Sequence, residues 1–207
     1  MIFFRKQDLN GKATDYEARI NQAVFPSCQG GPHNNTIAAV AIALKQASTP
    51  EFRLYAKQVM LNSKQLAKSL MNYGYKIVTD GTDNHLLLWD LRPLGLTGSK
   101  LEKLCDMVSI TINKNSIYGD VSALAPGGVR LGTAALTSRS FEEKDFERVA
   151  EFLKRTVDHA LEIQKKVGAS KLLKDFIAVA VTHEPLLALR REVEQFSEAF
   201  DNPGLMK

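Results

Sequence analysis

The stretch from Thr49 to Gly74 constrains this chain more than any other. Thr49-Pro50-Glu51 is a helix start: a side chain able to cap, a proline whose fixed φ suits the first helical position, and an acid at the positive end of the dipole. The helix is predicted to run to Asn72 or Tyr73, with Leu54, Val59, Leu66 and Leu70 on or near its buried side, and Gly74 ends it. Strand-like runs follow at once. Tyr75–Val78 and Leu86–Leu91 flank a turn at Asp80-Gly81, Ser109–Ile112 reads as a third strand, and Val129-Arg130-Leu131 as a strand-like step. Strands alternating with long helices give a fold class of α/β to α+β.

The flanking segments fill in the order. Ile2–Phe4 reads as a short buried strand, Tyr16–Val24 as a helix, and Thr36–Gln46 as another, with Ile37, Val40, Ala41 and Leu44 at helical spacing. Ser99 with Glu102, and Ser140 with Glu143, read as capping boxes. The helix after the second box carries a stripe of Phe146, Val149, Phe152, Leu153, Val157, Ala160 and Leu161. From Lys171 onward the chain is amphipathic with a polar end. A domain boundary is placed inside the long helix, giving segments 1–55 and 56–207.

A length of 207 residues, 44% of them hydrophobic, allows a sizeable core in one or two domains. The net charge of +4 is interspersed and forms no basic arm, so nucleic acid is not an expected partner. Cys28 and Cys105 cannot build a disulfide framework, and no Cys/His spacing resembles a zinc site, so no metal is expected. His159 and His183 are placed on helix surfaces, Trp89 in the core, and Lys114 and Lys165-Lys166 in solvent. The longest apolar run is too short to span a bilayer.

One arginine stands out. Arg130 follows Ala125-Pro126-Gly127-Gly128-Val129 and precedes Leu131-Gly132-Thr133. The glycines let the backbone bend tightly and leave room beside a guanidinium, a rigid two-pronged grip for a carboxylate or phosphate. On chemistry alone the choice is between an anion site and a surface ion pair.

Together with Asn113-Lys114-Asn115-Ser116, Gln29-Gly30-Gly31-Pro32-His33-Asn34 and Gly81-Thr82-Asp83-Asn84-His85, this motif resembles serine hydroxymethyltransferase. The likeness runs in unbroken order from Met1 to about Phe176. Leu88–Gly98 resembles the plant cytosolic branch. The resemblance covers the carboxyl-terminal part of the family's chain. It implies the tail end of a fold-type I transferase large domain, then a small domain of helices on a short antiparallel sheet. It also implies pyridoxal phosphate as cofactor, tetrahydrofolate as co-substrate, serine and glycine as substrates, and a cytoplasmic oligomer.

Residue by residue, the resemblance assigns Arg130 to the substrate carboxylate, Gly30 and above all Gly31 to the cofactor phosphate of a neighbouring active site, and Asn115 to the pterin of folate. Asn115 could instead bond its own loop backbone. His33 and His85 lie in family motifs and read as structural imidazoles. The family's Schiff-base lysine lies in a Thr-x-x-His-Lys-Thr segment just before the strand matched by Met1–Phe4, and this sequence contains no such segment. No catalytic residue is therefore assigned, and the 207 residues are expected to be inactive alone. The alternative is a non-catalytic subunit that pairs with full-length chains. Asn35, Ala134 and Ser140 replace the family's histidine, proline and glycine.

Overall fold

The computed structural model describes residues 2–122, 125–168 and 172–204. Two compact units divide between Thr49 and Pro50, so the long helix belongs wholly to the second.

The first unit holds α1 (Tyr16–Gln22) and α2 (Asn34–Ala47), and neither helix has a buried residue. Ile2–Phe4 is not the buried strand expected from its composition. Phe3 is 86% exposed, and the one pairing nearby, among the described residues, is an isolated bridge between Gln7 and Ala13. A strand needs a neighbour to satisfy its backbone, and none lies beside this run among the described residues.

The second unit opens with α3 (Pro50–Asn72), closed by Gly74 at φ 82°. Its stripe is buried from Val59 onward through Leu66 and Leu70. Leu54, expected inside, is 68% exposed. The side of α3 that meets the short helix α5 (Ala134–Thr137) carries Tyr55 instead, whose hydroxyl lies 3.2 Å from the Ala134 carbonyl oxygen. Adjacent helical residues point about 100° apart, so Leu54 faces away.

Four strands, β1 (Lys76–Ile77), β2 (Leu86–Asp90), β3 (Asn113–Asn115) and β4 (Gly128–Gly132), form an antiparallel sheet in the order β1-β2-β4-β3. The third strand therefore starts at Asn113, whereas the apolar run Ser109–Ile112 is a turn and lead-in with Ser109 at φ 60°. The pleat sends Ile77, Leu87, Trp89, Val129 and Leu131 to one face, all of them buried. Helices α3 and α4 (Gly98–Met107) pack on the sheet, α6 (Glu143–Val167) packs on both helices, and α7 (Leu173–Val181) and α8 (Pro185–Glu198) pack on α6. The chain is a mixed α/β protein whose small sheet carries helices on its apolar face. Trp89 sits in that core with Tyr75 against it at 4.6 Å, and burial raises the Tyr75 phenol to about 12.

Both expected capping boxes move. The N-cap of α4 is Thr97, whose Oγ1 accepts from the Lys100 N–H, while Ser99 lies inside the helix. Its supposed partner Glu102 instead accepts from the Lys114 N–H at 3.0 Å. The box of α6 is Glu142 with Asp145, because Ser140 is held at φ 67° two residues too early. That left-handed conformation suits the glycine the family pattern has there and strains a serine by about 1 kcal/mol. Ala134 is the first residue of α5, and the preceding Thr133 is fixed by Oγ1–H donation to the Val59 carbonyl at 2.8 Å.

Helix α4 and the start of β4 touch at backbone distance. A Cβ on Gly98 would lie 2.1 Å from the Gly128 carbonyl oxygen, while the Gly98 N–H donates to the Pro126 carbonyl at 2.8 Å. A methyl group there must drive the helix off the strand. Gly98→Ala is expected to destabilise the chain by at least about 1–3 kcal/mol, read as a lower denaturant midpoint with an unchanged m-value.

Candidate functional site

The face of the sheet opposite the core is open, and it holds two of the residues singled out from the sequence. Arg130 on β4 pairs in register with Leu88 on β2 and Asn113 on β3, and Asn115 pairs with Gly128. Directly paired residues share a face, as do residues two apart along a strand. Arg130, Asn113 and Asn115 therefore lie on the same side, Asn113 directly opposite Arg130 and Asn115 one diagonal step away. Arg130 is exposed, and among the described residues its guanidinium makes no hydrogen bond or ion pair.

Asn115 is half-buried, and its amide Nδ2–H donates to the Ser116 carbonyl at 2.6 Å. That local bond fixes the side chain. Lys114 points to the other face, where its ammonium lies 4.0 Å from the Glu102 carboxylate, so it is not the purely solvated charge expected.

A clasp of charges, unread from sequence, sets the loop between β3 and β4. Asp90, at the end of β2, is 3% exposed and receives Arg92 through both oxygens: Nε to Oδ1 at 2.9 Å and Nη2 to Oδ2 at 2.9 Å. Lys76 adds a contact at 3.6 Å. Arg92 also donates to the Tyr118 carbonyl at 3.1 Å and lies 3.8 Å from Asp120. Asp120 gathers the two loop ends, accepting from the Ile117 N–H at 3.0 Å and the Gly127 N–H at 2.8 Å.

These contacts hold the Asp90 carboxyl below its ordinary value, chiefly through the Arg92 hydrogen bonds, and the Asp120 carboxyl below its own through the Gly127 and Ile117 amides. Gly127 fits because a Cβ there would meet Asp120 Oδ1 at 2.7 Å and the Arg92 stem at 2.8 Å. The glycines before Arg130 are thus required for close packing beneath the loop more than for space beside the guanidinium. An Asp-x-Arg step straddling a strand end was the available signal for this clasp.

Gly30 and Gly31 lie in the first unit, on an exposed turn between α1 and α2. A Cβ on either would meet nothing within 4 Å, and their N–H groups make no backbone hydrogen bond among the described residues. His33 is the N-cap position of α2 without a side-chain cap bond. His85 is exposed, and its carbonyl accepts from the Thr133 N–H at 3.0 Å. Two further histidines, expected on helix surfaces, instead meet: His183 is buried, with Nε2 3.2 Å from His159 Nδ1.

Comparison with known proteins comes to one result. A family model described as "Serine hydroxymethyltransferase" matches residues 1–153. "Serine hydroxymethyltransferase 4" of Arabidopsis thaliana is 56% identical over 213 residues, covering all of this chain and 45% of the relative. "Serine hydroxymethyltransferase, cytosolic" of Oryctolagus cuniculus is 49% identical, covering 99% of this chain and 45% of the relative. "Serine hydroxymethyltransferase 3, chloroplastic" of Arabidopsis thaliana is 49% identical, covering 99% and 39%. The chain spans less than half the length of these relatives.

Stability should fall on the acid side through the clasp. Asp90 has a folded-state value below the ordinary 3.8, so the unfolded chain takes up its proton first as pH drops. The stabilisation is present above the ordinary value and lost as pH falls through the lower folded one. Thermal midpoints between pH 5 and 2.5 are expected to drop steeply, and Asp90→Asn, starting from a lower midpoint, is expected to drop less.

Proposed function

Because this chain belongs to the serine hydroxymethyltransferase family, we propose that it contributes the substrate-orienting and folate-facing part of a serine–glycine hydroxymethyl transfer. In this reading residues 1–55 complete a fold-type I large domain and residues 56–207 form the small domain. The single observation that supports it most is Arg130: a guanidinium on an open sheet face, fixed by strands on both sides and without an acidic partner among the described residues. A surface ion pair would have such a partner.

The implied cofactor, pyridoxal phosphate, fits the residues present. The Gly30-Gly31 turn offers backbone amides with no Cβ in the way, which suits phosphate oxygens. When bound, pyridoxal phosphate supplies the electron sink for bond cleavage at the amino acid. Gly31, with Gly30, would hold the phosphate of a neighbouring subunit's active site by N–H donation. Arg130 would hold the substrate carboxylate through paired hydrogen bonds and so fix which Cα bond is aligned to break. Asn115 would turn its free Oδ1 to an N–H on the folate heterocycle, its Nδ2 being committed to Ser116. The hydroxymethyl carbon of serine passes to tetrahydrofolate, leaving glycine. A cytoplasmic setting is favoured by the cytosolic relative, although another is named chloroplastic.

Turnover of serine with tetrahydrofolate tests this, measured for the 207 residues alone and joined behind the amino-terminal part of the Arabidopsis relative at 56% identity. The 207 residues, which contain no matching lysine segment, are expected to give no sustained turnover, and the joined protein is expected to give it. Arg130→Lys in the joined protein keeps the charge and loses the fork. It should lower kcat/KM for serine by about 10–100-fold, the equivalent of one hydrogen bond to a charged group. An unaffected variant would sink the assignment of Arg130.

A second reading, a non-catalytic subunit that pairs with full-length chains, is favoured by α2. Ile37, Val40, Ile42 and Leu44 are all exposed along one short helix, an apolar surface that calls for a partner. Light scattering should find the chain self-associated or bound to a full-length relative. A discrete stable monomer that ignores the relative would count against it.

A further inference from the structure

We propose that His159, Glu162 and His183 form a binding site for a divalent transition-metal ion, zinc above all, that fastens α6 to the connection between α7 and α8. The proposal rests on nothing assigned to the sheet face or the glycine turn.

His159 and Glu162 are three residues apart on α6 and so emerge on one side of it. His183, in the step between Val181 and Pro185, comes down onto that side. The three candidate donor atoms form a nearly equilateral triangle. His159 Nδ1 is 3.2 Å from His183 Nε2, and each nitrogen is 3.6 Å from Glu162 Oε2. Zinc bonds of about 2.0–2.1 Å in a tetrahedron place neighbouring donors about 3.3 Å apart. Two imidazoles and one carboxylate also match zinc in donor chemistry, with the fourth position left for water.

Ordinary hydrogen bonding accounts for only part of this. Lys166 Nζ lies 3.4 Å from His183 Nδ1. The ammonium can donate to that nitrogen while His183 Nε2–H donates to His159 Nδ1, a chain that leaves both rings neutral. It gives no role to Glu162, whose oxygen sits at equal distance from both nitrogens and beyond hydrogen-bonding reach of either. Metal binding would take the lone pairs of His159 Nδ1, His183 Nε2 and Glu162 Oε2. The His183 proton then moves to Nδ1, and the exposed Lys166 swings into solvent.

Burial, with His159 and Lys166 nearby, keeps the His183 imidazole below its ordinary value, which favours the neutral ring that a metal requires. Glu162 is 57% exposed at its side chain, so an ion can enter from solvent. No sequence motif announces the site, because His159 and His183 are 24 positions apart.

The test uses the whole 207-residue chain, stripped with chelator and titrated with Zn2+ and, separately, with Co2+. One Zn2+ per chain is expected by calorimetry and by elemental analysis after gel filtration. A visible Co2+ spectrum of the tetrahedral type is expected, and a melting temperature that rises with Zn2+ concentration. Glu162→Gln and His159→Gln change partly exposed side chains and are expected to fold. Each should weaken Zn2+ binding by more than the ~10–100-fold that loss of an outer-shell partner brings. Cys28→Ser, which removes the exposed thiol, should leave the affinity unchanged. Absence of stoichiometric Zn2+, or equal binding by Glu162→Gln and His159→Gln, would overturn the proposal. So would loss of binding in Cys28→Ser.

Discussion

The buried carboxylate of Asp90 is the constraint on which the open sheet face depends. A carboxylate in that position is tolerated only with partners, and Arg92 supplies two hydrogen bonds from two residues away. The same guanidinium reaches the Tyr118 carbonyl and approaches Asp120, so the charge that neutralises β2 also captures the loop. Asp120 then ties both ends of that loop with a single oxygen. Buried ion pairs of this kind add little net stability over an apolar core, and their use is to fix one arrangement. Here the arrangement is the entry into β4, two residues before Arg130.

Below that clasp the fit is steric. Gly98 and Gly128 bring helix and strand to backbone contact, and Gly127 lies flat on the Arg92 stem. Electrostatic and steric constraints converge on one short segment from different sides. The register of β4 against β2, with Gly128 opposite Asp90 and Arg130 opposite Leu88, follows from them together. A one-residue slip would send Arg130 into the Trp89 layer and Val129 into solvent. The alternation of Val129 and Leu131 inward with Arg130 outward is thus enforced twice, by burial and by the clasp.

How much of this could be read in the sequence depended on whether the signal was local. The ends of α3 were legible because Pro50 and Gly74 act on their own backbone, and the stripe of α6 because it repeats over 25 residues. The capping boxes were misread since Ser-x-x-Glu also fits one register that tertiary contacts reject: Lys114 draws Glu102 away, and Ser140 is already bent into the left-handed region. Ser109–Ile112 and Ile2–Phe4 have strand composition, but a strand needs a neighbour, and composition does not carry one. The histidine pair was invisible for the same reason, as its members are joined only by the return of the chain after α6. At the sheet, the residue types of Arg130 and Asn115 were legible, whereas Asp90, Arg92 and Asp120 read as parts of a strand and a loop.

Arg130 gains its character from the acids it does not have. Around the sheet, the carboxylates are already committed: Asp90 to Arg92 and Lys76, Asp120 to two backbone amides, and Glu102 to Lys114. Asp90 shares the face of Arg130, opposite Lys76 in register, but is already held by Arg92 and Lys76, while Glu102 serves the core side and Asp120 the loop. A guanidinium left there among the described residues faces an anion deficit that the second unit does not fill from its own side chains. Amide groups at Asn113 and Asn115 flank it with neutral dipoles and add no competing charge. A small carboxylate arriving from solution would meet a guanidinium unpaired among the described residues, an Asp90 already paired with Arg92 and Lys76, and amide neighbours on the adjacent strand. That division of charge, with those acids spent on architecture and Arg130 left exposed, leaves the face able to receive an anion.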